Sequence, residues 1–227
     1  MNTTVKKVHL ASFVKTNANL TRSEVIRLME EGRILVNDIP QKLSYVVLDT
    51  DIVTLDNEVI IKKEKVYYIY NKPKGIICTN NKNIDNNMIE ELNLNQKVFC
   101  VGRLDKDTRG LVLLTNDGDF SAYITDPASS IEKEYIVTVK YPITDEFLKQ
   151  MELPIIIKGK TTLPAKVIQI NDFSFRIILK DGKYHQIRRL VINAKNTVLD
   201  LERIRIGMYS LDGIKEAEVK KIKALDF

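Results

Sequence analysis

The chain has 227 residues, of which 44% are hydrophobic and 29% charged, a composition typical of a soluble globular protein with one large domain or two small ones. Its formal net charge of +5 permits an RNA partner without requiring one. The two cysteines, Cys78 and Cys100, have no CxxC spacing and no nearby histidine pair, so neither a disulfide framework nor a zinc site is indicated.

No segment of the sequence is typical of export or of a membrane anchor. Residues 1–15 contain scattered basic side chains but no apolar core of signal-peptide length, and no later apolar run approaches the length that spans a bilayer. We therefore expect a cytoplasmic protein with no membrane partner.

The first quarter of the chain predicts a compact module of two helices and short strands. Apolar side chains recur at helical spacing in residues 10–14, and residues 21–24 have the capping-box form that begins a second helix, which Gly32 ends. Residues 33–37 and 51–55 are strand-like and are bounded by turn residues.

The remainder predicts alternating strands and loops after a linker near residues 58–65. Strands are expected at residues 66–70, 98–101, 111–114 and 131–139, and a helix with a buried apolar face is expected after the Asp181-Gly182 turn.

The polar segment from Gly102 to Leu111, Gly-Arg-Leu-Asp-Lys-Asp-Thr-Arg-Gly-Leu, carries the clearest functional signal. It separates two strand-like apolar runs and therefore predicts a loop at a sheet edge, where catalytic groups are often carried. Taken alone, Asp105 in such a loop is more often a structural cap or a solvated turn residue.

This segment resembles the signature of the RsuA-like family of ribosomal RNA pseudouridine synthases. Three further motifs of that family are present, Asn71-Lys72-Pro73-Lys74-Gly75, Glu132-Lys133-Glu134-Tyr135 and Gly182 to Arg189 with its Gln-Ile-Arg-Arg. The resemblance implies an α+β fold. It implies an alpha-L (S-four-type) RNA-binding domain over residues 1–60, and a catalytic domain over 61–227 with a mixed, largely antiparallel sheet and flanking helices.

The resemblance also implies roles for three residues. Asp105 is the essential carboxylate, which attacks the uracil ring or the ribose anomeric carbon, or stabilises the intermediate. Arg188 is expected to pair with it, and Tyr135 is expected to stack on the target base. Without the resemblance, a surface or phosphate-binding arginine and a core aromatic are the more ordinary interpretations.

RNA contacts are predicted in both domains. In the catalytic domain they fall to Arg103, Lys133, Gln186, Arg189 and Lys72, and in the helical module to Lys15, Arg22, Arg27 and Arg33, whose alternative is a solvated helix face. Arg103 could also form a structural salt bridge, and Arg203, in the closing segment, is either structural or RNA-facing.

We therefore predict a pseudouridine synthase acting on ribosomal RNA, free or in an assembly intermediate, with large-subunit RNA favoured over small-subunit RNA. No cofactor and no metal are expected, and a monomer is expected. The alternative is a non-catalytic RNA-binding or ribosome-assembly protein with the same fold. A methyltransferase is disfavoured because the chain has no glycine-rich GxG loop.

Overall fold

The computed structural model describes residues 8–79, 81, 83–92 and 94–223. It divides the chain into two compact units, Met1–Lys65 and Val66–Phe227, whereas the sequence predicted a division after residue 60. Residues 1–7 and 224–227 of the two predicted domains lie outside the described residues.

The N-terminal unit consists of two helices and short antiparallel strands. Its elements are β1 (Val8–His9), α1 (Leu10–Asn17), α2 (Arg22–Glu30), β2 (Ile34–Val36), β3 (Ile39–Pro40), β4 (Val46–Val47), β5 (Val53–Leu55) and β6 (Glu58–Val59). One sheet has the order β3-β2-β5-β6, and β1 pairs with β4. Both predicted helices are confirmed.

Helix α2 begins where the capping box predicted. The Thr21 hydroxyl accepts a hydrogen bond from the Glu24 amide at 3.2 Å, and the Glu24 carboxylate accepts one from the Thr21 amide at 2.6 Å. A core then forms because the apolar faces of α1 and α2 pack on the inward residues of the sheet, with Leu10, Val25 and Val53 fully buried. This cap and this core explain why so short a segment forms a unit with its own interior.

The C-terminal unit contains one large sheet with helices on both of its faces. Its elements are β7 (Tyr67–Lys72), α3 (Met88–Leu92), β8 (Phe99–Val101), β9 (Arg109–Thr115), α4 (Gly118–Thr125), a 3₁₀ turn (Pro127–Ser129), β10 (Lys133–Val139), α5 (Asp145–Glu152), β11 (Ile156–Ile157), β12 (Lys160–Thr161), β13 (Lys166–Asn171), β14 (Ser174–Leu179), α6 (Gln186–Asn193), β15 (Val198–Ile206), β16 (Tyr209–Ser210) and β17 (Val219–Ile222). Strands β11 and β12 form a separate hairpin.

The large sheet has the order β13-β14-β10-β15-β9-β7-β17, with β16 added on β15 and β8 on β9. Strands β9 and β15 run parallel and pair over only two positions, Arg109 with Glu202 and Gly110 with Arg203. Every other pairing described for this sheet is antiparallel. The predicted mixed, largely antiparallel architecture is thus confirmed, and two antiparallel halves meet at one short parallel junction.

Alternation along β9 explains the two layers of the core. Leu111 and Leu113 pack with Phe120 of α4 on one face, whereas Val112 and Leu114 pack on the other face with the cluster that includes Leu190 of α6. A strand that is apolar at consecutive positions is expected where both faces of a sheet are covered. No helix in the described part of the chain is long and apolar enough to cross a membrane.

Candidate active site

Asp105 lies in the loop between β8 and β9, where the sequence predicted a functional loop. The loop begins at Gly102, whose φ is +65°, and the amide of Thr108 closes its turn by donating to the Asp105 carbonyl oxygen at 3.1 Å. The Asp105 side chain is 42% exposed. Its carboxylate is therefore held on a defined turn yet remains accessible to a substrate.

A buried arginine from β15 holds both ends of this loop. Arg203 is only 2% exposed; its Nε donates to the Leu111 carbonyl at 2.7 Å, and its Nη2 donates to the Gly102 carbonyl at 2.5 Å. A buried guanidinium needs such partners, because leaving its hydrogen bonds unmade in the interior is costly. The burial assigns Arg203 the structural role rather than the RNA-facing one.

A buried lysine holds the middle of the loop. The Lys72 ammonium, which is fully buried, donates to the carbonyls of Pro73 and Ile76 at 2.9 Å and to that of Lys106 at 3.3 Å. Burial lowers the pKa of Lys72. The structure contradicts the predicted RNA contact of Lys72, because its buried ammonium donates to three carbonyl oxygens inside the protein.

The partner of the Asp105 carboxylate is His185 and not Arg188. His185 Nε2 lies 3.4 Å from Asp105 Oδ1, whereas Arg188 Nη2 donates to the Asp107 carbonyl at 3.2 Å and to Thr108 Oγ1 at 3.3 Å. Among the described residues, the expected ion pair between Asp105 and Arg188 is absent. Arg188 does reach the predicted loop, but it binds the backbone just after the carboxylate.

Asp181 fixes the segment that leads into α6. Its carboxylate accepts hydrogen bonds from Gln186 Nε2 at 2.7 Å, from Lys183 Nζ at 2.6 Å and from the Leu163 amide at 3.0 Å. Burial by itself would raise the pKa of Asp181, but these donors outweigh it and the pKa is lowered. Gln186 is 3% exposed, so the predicted RNA contact of Gln186 is also contradicted: its amide is bound inside the protein.

Tyr135 and Lys133 occupy adjacent inward parts of β10. Tyr135 lies opposite Arg203 in the β10–β15 register and is 8% exposed within the main core. Lys133 is equally buried, and its ammonium donates to the Ile131 carbonyl at 3.0 Å. The Lys133 ammonium is thus bound to a carbonyl oxygen of its own unit, and its RNA contact stays a prediction. The role predicted for Tyr135 stays a prediction.

The other predicted RNA-binding side chains of this unit, Arg103 and Arg189, are exposed. In the N-terminal unit Lys15 and Arg22 are exposed as well. These four side chains are positioned as phosphate contacts require, at the surface with their charge accessible.

Arg27 and Arg33 of the N-terminal unit have acidic partners within it. Arg33 binds Asp56 through two hydrogen bonds of 2.7 and 2.6 Å, and Arg27 lies 3.7 Å from Glu31. The bond to Asp56 is the main cause that raises the pKa of Arg33. An arginine with such partners has less charge to offer a phosphate than Lys15 or Arg22.

His185 is the site residue that the sequence did not predict, and for Arg203 the sequence left the structural and RNA-facing roles open. His185 directly precedes the Gln-Ile-Arg-Arg motif, and its histidine identity was the only signal available. The described residues contain no group of three or more histidine, cysteine, aspartate or glutamate side chains that could hold a metal ion. The site is thus built from one accessible carboxylate, two donors from the α6 region and buried cations beneath the loop.

Comparison with known proteins defines the class. A model of the RNA pseudouridylate synthase family matches residues 66–193, the span that contains the Asp105 loop and α6. The chain belongs to this family. It is therefore an enzyme, an isomerase that converts uridine to pseudouridine in RNA.

Its relatives are similar over nearly the whole chain. The dual-specificity RNA pseudouridine synthase RluF of Shigella flexneri is 37% identical over 214 residues, covering 93% of this chain and 74% of the relative. The ribosomal small subunit pseudouridine synthase A of Haemophilus influenzae is 31% identical over 222 residues, covering 95% and 96%. A crystal structure of a pseudouridylate synthase is 29% identical, with a TM-score of 0.68 and coverage of 95% and 96%.

These relatives confirm the predicted family, RsuA-like pseudouridine synthases. They do not support the predicted preference for large-subunit RNA, since the relative whose name specifies a subunit specifies the small one.

Proposed function

We propose that this synthase isomerises a uridine of ribosomal RNA and that Asp105 is its essential carboxylate. The observation that carries the proposal is the Asp105 loop itself: an accessible carboxylate on a turn that buried Arg203 and Lys72 hold from below. Buried cations that bind the carbonyl oxygens of a loop are expected where the position of a functional group on that loop must be fixed.

The reaction rearranges bonds within one nucleotide. The bond between ribose C1′ and uracil N1 breaks, a bond between C1′ and C5 forms, the proton leaves C5, and N1 ends with a proton. Atoms and electrons balance without an oxidant, a reductant or water, and for that reason we propose that no cofactor or metal takes part. Asp105 contacts the reacting nucleotide at C1′ or at the uracil ring, or stabilises the intermediate between the two bonded states.

The neighbours of Asp105 support this role. His185 supplies a nitrogen 3.4 Å from the carboxylate, and Arg188 holds the following turn. Positioning of a reacting group to within a fraction of an ångström is a major source of rate acceleration. We assign Arg203, Lys72 and Arg188 as positioning residues and Asp105 as the catalytic residue.

The target base must leave its stack to reach Asp105. Extrusion of a paired base costs roughly a few kcal/mol, which stacking on an aromatic side chain can offset. We propose that Tyr135 provides this contact and that its hydroxyl handles the C5 proton. Tyr135→Phe should then lower turnover more than RNA affinity; equal turnover would leave stacking as its only role.

The relatives, rather than the site, support the choice of the ribosomal RNA to be tested as substrate. Small-subunit ribosomal RNA is the first RNA to test, because a relative named for that subunit is similar over almost its entire length. Mapping pseudouridines in both ribosomal RNAs, from cells with and without this gene, identifies the modified uridine.

The decisive variant is Asp105→Asn, with Asp107→Asn as its matched control. Both remove one negative charge from an accessible part of the same loop, but the contact of Asp107 with Arg188 is made by its backbone carbonyl. Asp105→Asn should abolish pseudouridine formation while RNA affinity stays within about threefold, and Asp107→Asn should retain activity. Turnover by Asp105→Asn, or equal loss in both variants, would contradict the assignment.

A further inference from the structure

A pair of stacked rings lies next to Asp105, and the outer ring, that of Tyr184, has no part in the proposed chemistry. The rings of Tyr184 and His185 are 3.9 Å apart with an interplanar angle of 15°. Consecutive side chains diverge in regular strands and helices, and here they are brought together at a left-handed backbone position, His185 with φ of +52°. Because His185 also contacts Asp105, the stack begins at the reacting carboxylate and leads outward to a Tyr184 that is 54% exposed.

Two cations accompany the exposed tyrosine. Lys158 Nζ lies 4.6 Å from the centre of the Tyr184 ring, and Arg189 Cζ lies 5.7 Å from it, both within the range of a cation–π contact. Neither cation forms an ion pair with a residue that the structure describes. The site therefore combines a half-exposed aromatic side chain with two positive charges that have no acidic partner among the described residues.

The cation from the hairpin is held in place by local backbone geometry. Lys158 and Gly159 form the two-residue turn between β11 and β12, and both have positive φ, +50° and +73°, as a tight hairpin turn requires. The segment after the hairpin is tied to the α6 side by the hydrogen bond from the Leu163 amide to Asp181. The same carboxylate binds Gln186, so one buried residue fixes both sides of the cluster.

We propose that Lys158, Tyr184, His185 and Arg189, which we call the Tyr184 platform, bind a nucleotide that neighbours the target uridine in the RNA strand. The base stacks on the Tyr184 ring, and Lys158 and Arg189 contact the adjacent phosphates. Aromatic side chains with interleaved cations are the usual means of holding single-stranded nucleic acid. This inference rests on the proposed function and adds a positioning site for the strand beside the extruded base.

The platform also explains why His185 faces Asp105. A base stacked on Tyr184 is separated from the reacting carboxylate only by the phenol ring and the imidazole, so strand binding and chemistry share one continuous surface. Affinity from a base that does not react can then position the one that does.

The test compares Tyr184→Ala with Tyr141→Ala in full-length protein carrying Asp105→Asn, which stops turnover during the measurement. Tyr141 is a matched control because it is 51% exposed and has Lys140 Nζ 5.2 Å from its ring, but it follows the far end of β10. The probe is a fluorescent ten-nucleotide oligouridylate at low salt, and circular dichroism verifies that each variant is folded.

Tyr184→Ala should raise the Kd for the probe by about 5- to 100-fold, whereas Tyr141→Ala and Tyr184→Phe should leave it within about twofold. Lys158→Ala should reduce the steepness of log affinity against log salt concentration by the amount that corresponds to about one phosphate contact. Equal Kd values for the Tyr184→Ala and Tyr141→Ala proteins would overturn the platform. If Tyr184→Ala does not fold, Tyr184→Leu, which keeps the bulk but not the ring, replaces it with the same expectation.

The result is separable from the proposed function. In protein with an intact Asp105, Tyr184→Ala should raise KM for the ribosomal RNA substrate more than it lowers the rate at saturation. Absence of pseudouridine formation by the unaltered enzyme on ribosomal RNA would refute the proposed function while the binding contrast could still stand. Normal turnover with unchanged KM in Tyr184→Ala would refute the platform alone.

Discussion

Replacing Gly110 by alanine should damage the active site from inside the sheet. Gly110 pairs with Arg203 at the parallel junction of β9 and β15, and a Cβ added there would lie 2.3 Å from the Arg203 carbonyl oxygen and 2.8 Å from its nitrogen. Ordinary non-bonded contacts begin near 3.5 Å, so the two strands must separate. The movement displaces the backbone of the residue whose guanidinium holds both ends of the Asp105 loop.

Two contributions set the loss of stability expected for Gly110→Ala. The φ of +105° at Gly110 is a conformation that a residue with a Cβ adopts at a cost of about 1–2 kcal/mol, and overpacking adds about 1–3 kcal/mol. We expect the free energy of unfolding to fall by about 2–5 kcal/mol.

Gly102→Ala is the control that separates these terms. Its φ is also positive, but the nearest atom to an added Cβ, Arg203 Nη1, would lie at 3.6 Å, an ordinary contact distance. Gly102→Ala should lower the free energy of unfolding only by the conformational cost, about 1–2 kcal/mol.

Urea unfolding followed by circular dichroism measures the difference, since the chain has no tryptophan to report by fluorescence. Turnover measured on the same samples should fall further for Gly110→Ala than for Gly102→Ala. Equal unfolding midpoints for the two variants would refute the close-approach argument, and a destabilised Gly110→Ala protein with normal turnover would refute the link from the junction to Asp105.

Three further outcomes are expected. Arg203→Met should lower the free energy of unfolding by about 3 kcal/mol, because two buried carbonyls each lose a charged donor; a loss below about 1 kcal/mol in urea unfolding would contradict the clamp. Asp181→Asn should destabilise the protein at neutral pH and flatten its acid unfolding curve. The lowered pKa of Asp181 contributes stability that is present above the unfolded carboxyl pKa, about 3.9, and lost as the pH falls through the lower folded value; parallel curves for variant and parent would exclude this contribution. Replacing Lys15 and Arg22 together by alanine should reduce the salt dependence of RNA binding by about two phosphate contacts without changing the rate at saturation, and an unchanged slope would show that the N-terminal unit does not bind phosphates there.

The local sequence was sufficient to predict helix α2, strand β9 and the position of the Asp105 loop. The capping box at Thr21 and Glu24 fixes the start of α2 through contacts three residues apart, and the continuous apolar run Leu111–Leu114 predicts β9 as a strand buried on both faces. The Asp105 loop was predicted from a polar segment between two apolar runs, and its turn is closed by a hydrogen bond between Asp105 and Thr108; the role of Asp105 was predicted from the resemblance alone. Signals of this kind depend on neighbours along the chain, which a sequence displays directly.

The burial of the cationic side chains and the contact partner of Asp105 were decided only by the tertiary structure. Nothing near Lys72, Lys133 or Arg203 distinguishes an interior cation from a surface one; each is buried on β7, β10 or β15, strands that have a neighbouring strand along both edges. The partner of Asp105 became His185 rather than Arg188 because the chain enters α6 through His185 in a left-handed conformation, directly before Gln186, which Asp181 binds. The sequence by itself thus predicted which carboxylate serves the site, while the tertiary structure determined which residues position that carboxylate, since contacts between distant strands exist only after the sheet has formed.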